Sequence, residues 1–141
     1  MHYLDTSAVV SALVREPEVS GRVRAWLRSH GDDDLAISNW VITEVASALS
    51  IKVRTGELTL EQRADAMTEW QSLREGSLHH LAVSSDAFEL AARFAGRHEL
   101  GLRAGDALHL AVAAATGCTL VTLDRTMAKA APELGVSVAA I

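Results

Sequence analysis

The 141-residue chain has one cysteine, two prolines and no long apolar run, and each shortage removes a class of answers. The single Cys118 makes no internal disulfide, so a disulfide-stapled scaffold is excluded, and its apolar setting reads as a small buried hydrophobe. No Pro-, Gly- or Ser-rich stretch offers a linker, and one domain spanning 1–141 is expected. There is no repeat and no low-complexity tract. No apolar segment approaches the roughly 20 residues that cross a bilayer, so no membrane partner is expected. No basic-then-apolar leader precedes Asp5, which points to a cytoplasmic protein. With 49% hydrophobic and 22% charged residues, an ordinary apolar core is within reach.

A surplus of positive charge is also missing. Thirteen Lys+Arg against eighteen Asp+Glu give −5, which at first sight argues against a nucleic-acid partner. Four of those acids are candidate metal ligands, and without them the balance is −1. A bound divalent cation would reverse the sign inside the pocket, where local arginines count for more than the total. Arg15, Arg22, Arg24 and Arg28 gather near one end, Arg97 and Arg103 precede Asp106, and Arg125 and Lys129 follow Asp124. Taken singly, each reads equally as part of a solvated helix face.

What is present is an alternation of short apolar runs and helical periodicities. Strands are expected at 2–5, 35–38, 78–83, 119–123 and 136–140. Between them the pattern predicts helices from Thr6 to Arg15, and from Pro17 through Trp26 and Leu27 to His30-Gly31. A third helix is capped by Ser38 or Asn39 and stops at Gly56. Thr59 and Gln62 have capping-box spacing and open a fourth, with Leu60, Ala64, Met67 and Leu73 along one side. A fifth runs from Ser84 or Ser85 to about His98, a sixth from Asp106 to Thr116, and a short last one is broken by Pro132. Asp32-Asp33-Asp34 reads as a solvated turn. Strands alternating with helices imply an α/β three-layer sandwich on a mainly parallel sheet.

Against that frame Asp5, Glu44, Asp106 and Asp124 each stand at or just beyond the point where an apolar run gives way to a helix. Parallel strands bring their carboxyl ends to one crevice, so Asp5, Glu44 and Asp124 reach one edge of the sheet, and Asp106, opening a helix, is placed to join them. Individually they suit structural roles: Asp5 and Asp124 as helix caps, Glu44 and Asp106 in first turns where the helix dipole favours negative charge. Capping does not require four carboxylates at one edge. Hard oxygen donors without Cys or His suit Mg²⁺ or Mn²⁺. Six histidines make no alternative centre: His79 and His80, adjacent in a strand, point to opposite faces. His109, three residues after Asp106 on the same helical face, could touch the site, but a packed, hydrogen-bonded role beside Leu108 and Leu110 is the expectation. A zinc site is therefore not expected.

Four segments taken together, Asp5-Thr6-Ser7-Ala8, Glu44 inside a mid-chain helix, Leu102-Arg103-Ala104-Gly105-Asp106-Ala107-Leu108-His109-Leu110-Ala111, and Val121-Thr122-Leu123-Asp124, resemble PIN-domain nucleases. Chain length and motif order are most similar to the VapC-type toxins of bacterial toxin–antitoxin pairs. The block around Asp106 is the most specific part, and 55–85 matches nothing diagnostic. The resemblance implies a Rossmann-like sheet, a Mg²⁺-dependent endoribonuclease that blocks translation, a homodimer, and inhibition by a VapB-type antitoxin. It carries over Asp5, Glu44, Asp106 and Asp124 as the acidic residues, with Asp5, Asp106 and Asp124 as metal ligands. Ser7 and Thr122 are hydroxyls that orient those carboxylates, and Arg103 is a residue that touches phosphate or braces Asp106.

Other classes fit less well. An aspartyl-phosphate phosphatase would need an Asp where Ser7 stands, and a receiver domain would need an acidic pair beside the first strand and a lysine after a late one. A flap-type DNA nuclease would need a longer chain. The remaining alternative is a catalytically silent member of the same fold that binds RNA or protein. Trp26 and Leu27 are expected beneath an antitoxin or at a dimer interface, or else as ordinary core, with Trp40 next in line.

Overall fold

The computed structural model describes residues 1–14, 19–31 and 34–141. Arg15, Pro17, Asp32 and Asp33, named above, lie outside the described residues. Four strands form one parallel sheet: β1 (His2–Leu4), β2 (Leu35–Ser38), β3 (His79–Leu81) and β4 (Thr119–Val121), in the order β3-β2-β1-β4. The register pairs Tyr3 with Ala36 and Leu120, and Ile37 with His80.

Helices α1 (Thr6–Leu13) and α2 (Val19–Ser29) connect β1 to β2, and α3 (Asn39–Arg54) and α4 (Leu60–Gly76) connect β2 to β3. Helices α5 (Ser85–Ala95) and α6 (Ala104–Thr116) carry the chain back past β1 to β4, after which comes α7 (Arg125–Ala130). The first two crossovers step one way from β1 and the third returns the other way. Right-handed connections therefore lay α1–α4 on one face and α5–α6 on the opposite face, giving the three layers expected. Strand order reverses between β1 and β4, and the crevice beyond their carboxyl ends is where open α/β sheets take ligands.

Strand β2 is buried at all four positions, which is why Leu35-Ala36-Ile37 reads as a continuous apolar run rather than an alternation. Tyr3, Ile37, Leu110, Leu120 and Trp70 are sealed in the core, Trp70 being the largest of them. On α4 the inward face is Ala66 and Trp70, with Met67 and Leu73 of the expected stripe packed on the core; its other two members depart, Leu60 being 71% exposed and Ala64 lying in solvent. The capping box of Thr59 and Gln62 forms as predicted.

Several boundaries shift. Helix α3 begins after Ser38, as its cap signal suggests, but Glu44 is its sixth residue and lies in the second turn rather than the first. Helix α6 starts at Ala104, two residues before Asp106. The fifth helix ends at Ala95, and His98–Leu100 is a separate 3-10 turn. β3 is only three residues long because it is the exposed edge of the sheet, with His79 and His80 both exposed. The expected strand at 136–140 is reduced to one parallel bridge between Leu120 and Val138. Gly135, in the left-handed region at φ 72°, turns the chain, and Val136 N–H is taken by Ala131 O, which leaves only a short stretch to pair with β4.

Candidate active site

Asp5 follows β1 and is the N-cap of α1, its Oδ1 accepting the Ala8 N–H at 2.9 Å. The local sequence requires this, since a carboxylate before Thr6-Ser7-Ala8 satisfies one of the orphan donors at a helix start. Two hydroxyls complete its shell. Ser7 Oγ donates to the carboxylate at 2.7 Å, and Thr122 Oγ1, just past β4, donates to Oδ2 at 2.6 Å. Ser7 Oγ also accepts the Leu123 N–H at 2.9 Å. The side chains after β1 and β4 are thus knitted across the switch point. Asp5 is 1% exposed. Burial raises its carboxyl pKa above the ordinary aspartate value, opposed by the donors from Thr122, Ala8 and Ser7.

Asp124 repeats the arrangement one strand over: it caps α7, its Oδ1 accepting Met127 N–H at 2.8 Å, while its own N–H donates to Thr122 Oγ1 at 2.9 Å. Asp106 occupies the first turn of α6, where its Oδ2 accepts the Arg103 N–H at 3.1 Å. Arg103 itself meets Asp106 only through that backbone group; its side chain is exposed and is not part of the cavity wall. Arg97 is held by Glu99 at 2.8 Å and by the carbonyl of Glu133, and Arg24 by the carbonyl of Ala12.

Glu44 reaches the same edge from α3. Its Oε2 accepts from Thr6 Oγ1 and, at 2.7 Å, from His109 Nε2. Partial burial opposes ionisation, but the bonds from His109 and Thr6 and the nearby Trp40 indole together hold the Glu44 pKa below the usual glutamate value. Trp40 Nε1 is buried and makes no hydrogen bond of good geometry, so its influence on Glu44 is that of a nearby dipole. On the far side Gly105 allows close approach: a Cβ there would stand 3.1 Å from Glu44 Oε1.

Asp5, Glu44, Asp106 and Asp124 together line one cavity of about 350 Å³, with Thr6, Ser7, Ser11 and His109 among the other lining residues. Ser11 Oγ is buried without a partner, which suits a hydroxyl facing a hydrated space. Among the described residues no three Asp, Glu, His or Cys groups form a ready-made cage. The donor set is nevertheless hard oxygen throughout, and it fits an ion that keeps several waters, as Mg²⁺ and Mn²⁺ do. His109 is packed and hydrogen-bonded, as its surroundings suggested, and at the same time lines the cavity. Thr6, Trp40 and Gly105 are the neighbours that spacing did not single out. Thr6 and Gly105 reach Glu44 across the α1–α3–α6 junction, which no local pattern encodes, whereas Trp40 stands one turn before it on α3.

A PIN-domain family model matches residues 2–132. Ribonuclease VapC45 of Mycobacterium tuberculosis is 30% identical over 140 residues, covering 97% of this chain and 93% of that protein. VapBC2 of Rickettsia felis, solved bound to a promoter DNA fragment, superposes with a TM-score of 0.71 at 21% identity, covering 99% of this chain and 98% of the other. VapC20 of M. tuberculosis, described as a sarcin-ricin loop cleaving toxin, superposes with a TM-score of 0.72 at 20% identity over 92% of this chain and 95% of the other. No helix among the described residues is long and apolar enough to cross a membrane. With a family model over nearly its whole length and a full-length relative of that name, the chain belongs to the PIN-domain family and is akin within it to the VapC-type proteins.

Proposed function

We propose that this protein is a Mg²⁺-dependent endoribonuclease of the toxin type, which cuts RNA, blocks translation in the cytoplasm and is neutralised by a VapB-type antitoxin. The observation that carries the reading is the convergence of four carboxylates on one cavity at the strand-order switch point. The ribonuclease name of the 30% identical relative supplies the substrate class. The antitoxin partner and a homodimeric state follow from kinship with VapC-type proteins.

Asp5, Asp106 and Asp124 would hold the ion. When bound, Mg²⁺ or Mn²⁺ supplies a Lewis acid that makes water more nucleophilic and offsets phosphate charge. The chain's own contribution is placement. Ser7 and Thr122 fix the Asp5 carboxylate by hydrogen bonds, so it need not reorganise as the reaction proceeds. Glu44, held ionised, is suited to accept a hydrogen bond from the attacking water and aim it; its low pKa makes it a weaker proton acceptor than a base matched to neutral pH. Water adds to phosphorus in line with the departing ribose oxygen, the P–O bond to that oxygen breaks, the water proton passes to solvent, and the leaving oxygen takes a proton from solvent. Arg103, exposed at the start of α6 and outside the cavity wall, would be free to contact RNA phosphate.

The test is cleavage of a labelled RNA by purified protein in Mg²⁺, in EDTA, and by Asp106→Asn. Cleavage confined to the wild type with metal is expected. Equal cleavage in EDTA or by Asp106→Asn would overturn the assignment. Tight RNA binding without cleavage in Mg²⁺ would favour the silent binding module instead. Expression alone in a bacterium should arrest growth, with relief by the co-expressed antitoxin.

A further inference from the structure

A buried hydrogen-bond chain runs from the sheet into the cavity. Ser38 Oγ, at the end of β2, lies 2.8 Å from Tyr3 Oη on β1, and that hydroxyl lies 2.8 Å from His109 Nδ1 on α6. The other ring nitrogen, Nε2, lies 2.7 Å from Glu44 Oε2 on α3, which Thr6 on α1 also donates to. Ser38, Tyr3 and His109 are each no more than 2% exposed. Proton positions follow from chemistry. An ionised carboxylate has no hydrogen to give, so Nε2 carries the proton, and in that tautomer Nδ1 accepts from the Tyr3 hydroxyl. Burial pushes the Tyr3 phenol pKa well above its usual value, which keeps it a donor.

We propose that His109 is a positioning residue: fixed at Nδ1 by the Tyr3–Ser38 hydroxyl pair, its Nε2–H holds Oε2 of Glu44 and leaves Oε1 as the oxygen that works in the cavity. This rests on the reading of the cavity as a nuclease centre. A glutamate on a helix has three side-chain torsions, and Glu44 is only partly buried, so packing alone does not fix its carboxylate. Two donors on one oxygen do, and one of them is a rigid ring braced from the centre of the sheet. His109 thus acts on the reaction through Glu44.

The test uses His109→Leu, which keeps bulk and drops both ring nitrogens, beside His109→Gln, which retains an N–H of similar reach. His109→Leu should lower kcat roughly 10- to 100-fold, the usual effect of losing an orienting partner, with KM for RNA unchanged within about twofold. His109→Gln should recover most of the rate. In a Glu44→Gln background His109→Leu should cost nothing more, because both changes disable one unit. Full additivity, or equal losses for Leu and Gln, overturns the proposal. If His109→Leu does not fold, Tyr3→Phe, which removes only the hydroxyl, should lower kcat in the same direction by a smaller factor, and an unchanged rate counts against it. The ¹⁵N spectrum of the His109 ring reads the pair without any activity. A protonated Nε2 whose signal moves in Glu44→Gln is expected, and an Nδ1–H tautomer or no response overturns the proposal. Wild-type protein that shows this spectrum but never cuts RNA would refute the nuclease reading and leave the His109–Glu44 pairing standing.

Discussion

Thr122 Oγ1 gives its proton to Asp5 Oδ2 at 2.6 Å while receiving the N–H of Asp124 at 2.9 Å. One hydroxyl therefore ties the buried carboxylate after β1 to the backbone of the residue that caps α7. The two acids, 119 positions apart in sequence, are registered to each other through one side chain.

Thr122→Val keeps the shape and removes both bonds. The variant should lose roughly 10- to 100-fold in cleavage rate. It should also lose about 1–3 kcal/mol of stability, because Asp5 Oδ2 and Asp124 N–H are each deprived of a partner in a buried setting. Steady-state cleavage and urea denaturation measure the two separately; an unchanged rate would detach Thr122 from the site.

The raised pKa of Asp5 fixes the sign of a pH effect. A carboxyl whose folded pKa exceeds its unfolded value, about 3.9, binds protons more readily in the native state. Its ionisation therefore costs native stability, and the cost disappears as pH falls through the folded value towards the unfolded one. In EDTA the melting temperature of the wild type should rise relative to Asp5→Asn as pH falls across that window. Glu44 behaves oppositely: its folded pKa is lowered, so its contribution is present above the unfolded value and is lost as pH falls through the folded one. A wild-type curve parallel to that of Asp5→Asn would show that Asp5 does not carry the strain of burial.

Gly105→Ala opposes two effects within α6. Alanine favours the helix by up to about 1 kcal/mol. Its Cβ, 3.1 Å from Glu44 Oε1 and 3.7 Å from Trp40 Nε1, must displace that carboxylate. The expected result is a cleavage rate at least several-fold lower with a thermal midpoint almost unmoved. A variant as active as wild type would mean that Glu44 has room to spare.

The tryptophans separate cleanly. Trp70→Ala should cost about 3–5 kcal/mol, since it empties a fully buried aromatic site. Trp26, only partly buried, stacks on His30 at 4.1 Å between ring centroids and meets His2 edge-on at 5.2 Å. Trp26→Ala should therefore cost clearly less in denaturant melts. If it also weakens self-association or antitoxin binding, Trp26 serves an interface; equal destabilisation by both variants would place it in the core.

The architecture was legible because burial on both faces makes Leu35-Ala36-Ile37 of β2 a continuous apolar run, and because cap and stop signals bracket most helices. The acidic residues were legible for the same local reason: Asp5 and Asp124 each close a strand and cap the next helix. What could not be read was which side chains meet across elements. The start of α3 was legible, Ser38 being its cap, and counting from Asn39 sets Glu44 in the second turn rather than the first. The inward face of α4 was only half legible: Met67 and Leu73 pack on the core, but Leu60, at the capped first position of the helix, is exposed, and Trp70 is buried at a position outside that stripe. The partners of Glu44 come from α1 and α6, 38 and 65 positions away, a distance at which periodicity carries no information.

The tail of the chain contributes more than its single bridge suggests. Leu120 N–H donates to Ser137 O, and Ala139 N–H donates to Leu120 O, both at 2.8 Å, so the outer rim of β4 is stoppered at its midpoint. A strand from another molecule cannot zip onto that side without first peeling these two bonds away, which leaves β3, with its exposed histidines, as the rim open to recruitment. Deleting residues 136–141 would thus unmask a second sticky margin on β4, the strand that leads into Thr122, converting a local trim into a route to aggregation.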